Sequence, residues 1–239
     1  MDIIIDTTNS CPMSCKYCGT RSNSQSVNEL SKEAIKQILD ASVSFKGNLA
    51  RVFLGGGLFF CHSGWKHILE YNRSIKANII IDSPMLPVTF SSIKLCPPRE
   101  FHYNVSVSFW GIGQTHNQLS GIECFKLSNV FIDSLRQLQD RLYISFVITN
   151  ELITQCDEVV NFINGLPENC SIYFHRLMPV GRVRTDDLPA KESVLIFKNI
   201  IERNCRYDCS FHHTIESSDC KAGKDRLSLL SGRLNSNLL

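Results

Sequence analysis

Short apolar runs alternate with amphipathic helical stretches along most of the chain, and this alternation limits the fold more than any other feature of the sequence. Ile3 to Thr8, Arg51 to Leu54, Asn78 to Asp82, Tyr103 to Phe109, Leu142 to Ile148 and Ser171 to Leu177 read as strands. Helices are predicted between them. Ser31 stands at an N-cap before a helix from Lys32 to about Ser44, with Ile35, Ile38 and Leu39 on one face. Trp65 to Ile75, Asn129 to Asp140, Gln155 to Gly165 and Ala190 to Arg203 follow the same logic, and Pro84 to Pro98 is a proline-rich connection.

Roughly six βα units argue for an α/β fold with a parallel sheet and helices outside it. Six are too few for the usual closed barrel of about eight strands. The expected architecture is a partial (β/α)6 TIM-like barrel, whose ligands bind beyond the carboxyl ends of the strands. Residues 1–204 form that core. Residues 205–239 change character and read as a short C-terminal extension in which the alternation stops.

The bulk numbers exclude several classes. A chain of 239 residues with 43% hydrophobic and 20% charged residues is ordinary for a globular protein, and a net charge of +2 points to neither a nucleic-acid nor a membrane partner. No apolar run approaches the ~18 residues of a membrane span. Met1 to Asp6 lacks the basic region of an export signal, so a cytoplasmic protein is expected. The eleven cysteines are then more simply metal ligands, catalytic thiols or small buried groups than disulfides.

Three of them fall in one loop, just after the first strand. Cys11, Cys15 and Cys18 have the spacing C-x3-C-x2-C. Soft thiolates suit iron–sulfur chemistry, and three ligands leave one iron of a cubane open. Structural zinc asks for four ligands, often in separated pairs. A fourth ligand would have to come from far along the chain.

This triplet, with the aromatic Tyr17 just before its last cysteine, resembles the radical S-adenosylmethionine (SAM) superfamily. The resemblance implies a [4Fe–4S] cluster on Cys11, Cys15 and Cys18, with SAM chelating the open iron through its amino and carboxylate groups. One electron then cleaves the sulfonium to a 5′-deoxyadenosyl radical, which abstracts hydrogen from a substrate. It also places Tyr17 near the adenine. An electron donor such as flavodoxin or ferredoxin is implied as a partner.

Further stretches resemble the family's other motifs. Gly55, Gly56 and Gly57 match the glycine-rich motif after the second strand, which receives the SAM amino group; Gly57-Leu58 stands where the family usually has Glu-Pro, so the glutamate is absent. Ser108 on the fourth strand and Asn150 after the fifth match polar SAM contacts, with backbone satisfaction and helix capping as the respective alternatives. Thr115-His116-Asn117, Gly121 and Phe125 resemble the stretch after the fourth strand in peptide-modifying members. Arg176 to Arg182 resembles the Pro-x-Gly end of the sixth strand, and either arginine is placed to meet a carboxylate or solvent.

Cys220-Lys221-Ala222-Gly223-Lys224 and Gly232 resemble the start of a SPASM or twitch extension, cut short because Asn237 stands where a cysteine is expected. A second cluster on Cys205, Cys209 and Cys220 is therefore disfavoured. The resemblance implies hydrogen abstraction from a peptide or protein side chain. The alternatives are a small metabolite such as a nucleotide or sugar, a glycyl-radical activase, or a non-catalytic metal-binding module. Cys61, Cys96, Cys124 and the histidines gain no role from spacing alone.

Overall fold

The structure, a computed structural model, describes residues 2–26, 28–44, 50–82, 101–135, 142–168, 170–206, 209–212 and 226–229. Its strands are β1 (Asp2–Thr8), β2 (Arg51–Gly56), β3 (Asn78–Asp82), β4 (Tyr103–Phe109), β5 (Leu142–Ile148), β6 (Cys170–Arg176), β7 (Cys209–His212) and β8 (Arg226–Leu229). They form one sheet in the order β7-β6-β5-β4-β3-β2-β1-β8, and all neighbours are parallel. Parallel neighbours need long crossovers. Helices α1 (Lys32–Ser44), α2 (Trp65–Ile75), α3 (Gln114–Ser120), α4 (Phe125–Leu135), α5 (Asn150–Thr154), α6 (Cys156–Asn164) and α7 (Lys191–Asn204) lie in those crossovers.

The neighbour order is that of a barrel, with β7 and β8 as the two edges of an unclosed sheet among the described residues. All six expected strands of the partial barrel are present, and two more join the sheet. Both additional strands come from 205–239, where alternation was expected to stop. They are four residues each, too short to show a period in the sequence. The connection at 84–98, Cys96, the Cys220 motif and Asn237 lie outside the described residues.

Local chemistry explains most boundaries. Ser31 Oγ accepts the Ala34 N–H at 3.1 Å and starts α1 where expected. The start of α4 at Phe125, earlier than the expected Asn129, has a distant cause. Asn117 Oδ1 accepts the N–H groups of Cys124 (3.0 Å) and Phe125 (2.9 Å), so α3 caps α4. Helices α3 and α5 were not expected; α3 carries a single aliphatic residue, Leu119, and α5 is barely one turn.

The two faces of the sheet differ in kind. On the helix side Phe109, Phe146, Phe174 and Phe211 are paired across β4, β5, β6 and β7, with ring centroids 5.6, 5.2 and 4.7 Å apart. Such cross-strand aromatic pairs lock register. On the inner face Asp82, Ser106, Ser108, Tyr143, Ser145, Tyr173 and His175 border a cavity. A parallel sheet covered on both sides is normally apolar on both; a polar inner face marks a space for ligands. No described helix is long and apolar enough to cross a membrane.

Asp6 shares the inner face, and burial pushes its carboxyl up to about 6 from 3.8. The folded state therefore disfavours the carboxylate. That cost is absent below about pH 4, grows as pH rises, and is complete above about pH 6, with an upper figure of about 3 kcal/mol. Asp6→Asn should stabilise the ligand-free protein at pH 7 and not at pH 4, read from urea midpoints. An equal change at both pH values would contradict this origin.

Candidate active site

The loop joining β1 to α1 carries the three cysteines and has no regular structure of its own, so its shape comes from its neighbours. Thr8 Oγ1 accepts the Ser10 N–H at 3.0 Å, and the Cys11 N–H donates to Asn23 O at 3.0 Å. The Ser14 and Lys16 N–H groups donate to Ser120 O and Leu119 O at 3.3 and 2.8 Å, tying the loop to the end of α3. On the other flank, the Arg182 guanidinium donates to Cys15 O and Ser22 O, both at 2.8 Å, and its N–H to Cys18 O at 3.0 Å. Gly181 has φ +65°, and a Cβ there would lie 2.3 Å from the Cys18 and Gly19 oxygens. That close approach is the physical reason for glycine in the Pro-x-Gly stretch.

Held in this way, Cys11, Cys15 and Cys18 line one cavity of about 410 Å³ together with Gly55, Gly56 and Gly57. All three thiols are free. Burial first, then the neighbouring thiols, pushes Cys15 up to about 12; burial likewise pushes Cys11 up to about 11. Both are protonated thiols at neutral pH, and metal loading must displace their protons. Among the described residues no three His, Cys, Asp or Glu side chains gather around a single ion. A cubane asks for something different, since each thiolate binds a different iron.

The glycine triplet divides its labour. Gly56 has φ +96° and a Cβ there would meet Thr8 O at 2.8 Å, so Gly56 serves the packing of β2 on β1. At Gly55 nothing lies within 4 Å of the Cβ position, which leaves open space at the cavity wall. The carbonyls of Gly55 and Gly56 accept hydrogen bonds from Thr7 Oγ1 (3.0 Å) and Thr20 Oγ1 (3.1 Å).

Of the other expected site residues, Ser108 lines the cavity, donates to Asp82 Oδ1 at 2.8 Å and lies 2.9 Å from Ser145 Oγ. Tyr17 is set back from it. Its ring packs with Leu119, Leu177 and Val183, and its hydroxyl donates to Glu151 at 2.9 Å, which also pairs with Lys16 at 3.0 Å. Trp110, 6.0 Å from the Tyr17 ring, lines the cavity instead, as do Phe53, Tyr143 and Tyr173. Asn150 does not border the cavity. It opens α5, exposed, with Thr149 Oγ1 as the actual cap accepting the Leu152 N–H at 3.0 Å. Arg176 is exposed, and Arg182 holds the cysteine loop.

Two buried histidines, His116 of the stretch after β4 and His62, turn out to be structural. His116 Nδ1 accepts the Trp110 N–H at 3.2 Å and Nε2 lies 3.2 Å from Cys124 Sγ; burial lowers the imidazole to about 4, so it is neutral. His62 Nδ1 accepts the Gly64 N–H at 2.9 Å, so Nε2 carries the proton to Leu30 O at 2.7 Å. Cys205 and Cys209 lie at the amino end of β7, away from the triplet at the carboxyl end of β1, and a hydrogen bond from Cys209 lowers the Cys205 thiol. Asp82, Trp110 and Glu151 were not legible as site residues, and Arg182, expected to meet a carboxylate or solvent, meets backbone carbonyls. Only alternation on the inner face hints at Asp82.

Residues 5–103 match the Radical SAM superfamily. The cysteine loop, the glycine triplet, the second half of β1 and all of β2 and β3 lie inside the matched region. The fold agrees over far more of the chain. SuiB of Streptococcus suis bound to S-adenosylmethionine superposes with a TM-score of 0.76 over 96% of this chain and 58% of that one, at 13% identity. SuiB bound to its precursor peptide SuiA gives 0.76 over 96% and 57%, at 14% identity. A radical SAM methyltransferase from Sphaerobacter thermophilus gives 0.65 over 87% and 65%, at 13% identity. The chain thus spans less than two thirds of these proteins. No match is found among curated protein sequences.

Radical SAM proteins are enzymes whose cofactors are a [4Fe–4S] cluster and SAM. The donor set fits them here: three buried or half-buried thiols line one cavity, with unfilled space at Gly55. The loop's dependence on Arg182 has a consequence. Arg182→Ala should leave a folded protein by circular dichroism but retain several-fold less iron after anaerobic loading and desalting. Arg182→Lys should not restore it, because an ammonium lacks the planar fork that spans two carbonyls. Wild-type iron retention in both variants would show that the loop is held by other contacts.

Proposed function

We propose that this chain is a radical SAM enzyme acting on a side chain of a peptide or protein, with Cys11, Cys15 and Cys18 as the ligands of its cluster. When bound, the cluster and SAM supply reductive cleavage of the cofactor and a radical that abstracts hydrogen from the substrate. The observation that carries this reading is the convergence of the three thiols with the glycine triplet on one cavity at the carboxyl ends of parallel strands.

The chain's own residues prepare that chemistry. Arg182 and the end of α3 fix the thiols before the cluster arrives. The Phe109–Phe146–Phe174–Phe211 ladder and the buried helices behind it keep the inner wall rigid. Ile4, Phe53, Val147 and Trp110 give the cavity an apolar lining that limits water around a reactive radical. The peptide substrate is supported by likeness to a fold that, in SuiB, is seen with a bound precursor peptide. A flavodoxin or ferredoxin is the proposed electron donor. Lys16 and Arg21, exposed on the cysteine loop, are its proposed contacts.

Reduced, anaerobically loaded protein should convert SAM to 5′-deoxyadenosine and methionine, and Cys15→Ala should form neither. Cleavage by that variant at the wild-type rate would refute the cluster assignment. Adding the true peptide substrate should raise 5′-deoxyadenosine formation; stimulation by a small metabolite instead would overturn the substrate class.

Gly55→Val should keep the cluster but weaken SAM binding more than tenfold, about 1.4 kcal/mol, by filling the open wall. Gly56→Val should instead damage folding, because its Cβ meets β1 backbone. Equal SAM affinity in wild type and Gly55→Val would show that the opening does not receive the cofactor.

A further inference from the structure

Asp82 belongs to none of the motifs, yet its position is specific. It ends β3, and the pairing of Leu54 with Ile81 sets it beside Gly55 on the adjoining strand. At that neighbour the Cβ position is empty. Asp82 and Gly55 line the cavity that the three thiols line, and the Asp82 charge is felt at the Cys11 thiol. The carboxyl is also pre-oriented. Ser108 Oγ donates to Oδ1 at 2.8 Å and is itself 2.9 Å from Ser145 Oγ; burial pushes the carboxyl up, and the bond from Ser108 opposes that.

The glycine motif, by contrast, has lost its carboxylate, for Gly57-Leu58 replaces Glu-Pro. Two of its backbone acceptors each already take a hydrogen bond, the Gly55 carbonyl from Thr7 and the Gly56 carbonyl from Thr20. An amino group seated against this wall finds Asp82 as the neighbouring carboxylate acceptor, with Gly55 leaving the path between them open.

We infer that Asp82 stands in for the missing glutamate and accepts hydrogen bonds from the amino group of SAM, with Ser108 and Ser145 as the residues that position it. This rests on the proposed function. It relocates the carboxylate from the strand of the glycine motif to the strand next to it.

The test uses the full chain loaded with its cluster under anaerobic conditions. SAM binding is measured by equilibrium dialysis, and the electron paramagnetic resonance of the reduced cluster is followed as SAM is added. Asp82→Asn keeps the size of the side chain and its hydrogen bond from Ser108. It should retain wild-type iron content and the wild-type spectrum before SAM, yet bind SAM at least tenfold more weakly. Ser108→Ala, which leaves the carboxyl in place but unsteered, should show a smaller loss of a few-fold. An analogue of SAM lacking the amino group should bind wild type and Asp82→Asn equally. Unchanged SAM affinity in Asp82→Asn would overturn the assignment, as would an equal loss for SAM and for the analogue. A wild-type chain that loads iron but binds no SAM would overturn the proposed function as well, so the two failures are distinguishable.

Discussion

The two hydrogen bonds from the Arg182 guanidinium to Cys15 O and Ser22 O, with the Arg182 N–H on Cys18 O, hold in place the one part of the chain that cannot hold itself. The loop buries Met13 and Tyr17, but the raised pKa values of Cys11 and Cys15 show that the interior does not welcome the charge of its thiolates. Without outside support such a loop would pay its ordering entropy at the moment of metal binding. Here the end of α3 and the segment after β6 supply that support, one on each flank. Both are far from the loop in sequence, so the site exists only once the sheet has brought β1, β4 and β6 together.

The sheet achieves this by giving its faces opposite tasks. The phenylalanine ladder crosses β4 to β7 on the helix side and fixes register, and a register slip by one residue would turn it inward. Correct register places Ser108 against Ser145 and Asp82 beside Gly55 on the inner side. Core packing and site chemistry are thus two readouts of one strand alignment.

Much of this was legible in the sequence. Long apolar periods placed α1, α2 and β3 to β5 closely, because burial of one face dictates them. The cysteine spacing, a local feature, located the loop that lines the cavity. What escaped depends on distant partners. Asn117 caps α4 from another helix, β7 and β8 are too short to show a period, and Arg182 looks like any surface arginine until its carbonyl partners are known. Tyr17 and Asn150 lie off the cavity for the same reason: proximity along the chain to a motif does not decide which way a side chain faces. Tyr17 turns to Glu151, and Thr149 takes the capping role beside Asn150.

The central claim is that three thiolates hold the cluster and leave one iron to the amino group of SAM. Electron–nuclear double resonance on the reduced protein, with SAM labelled by ¹⁵N at the amino group, tests it most directly. A ¹⁵N coupling that appears on adding labelled SAM, and is absent from protein loaded without it, is the predicted result. A reduced cluster whose spectrum is indifferent to SAM, with no nitrogen coupling, would contradict an open iron and with it the functional reading of the site.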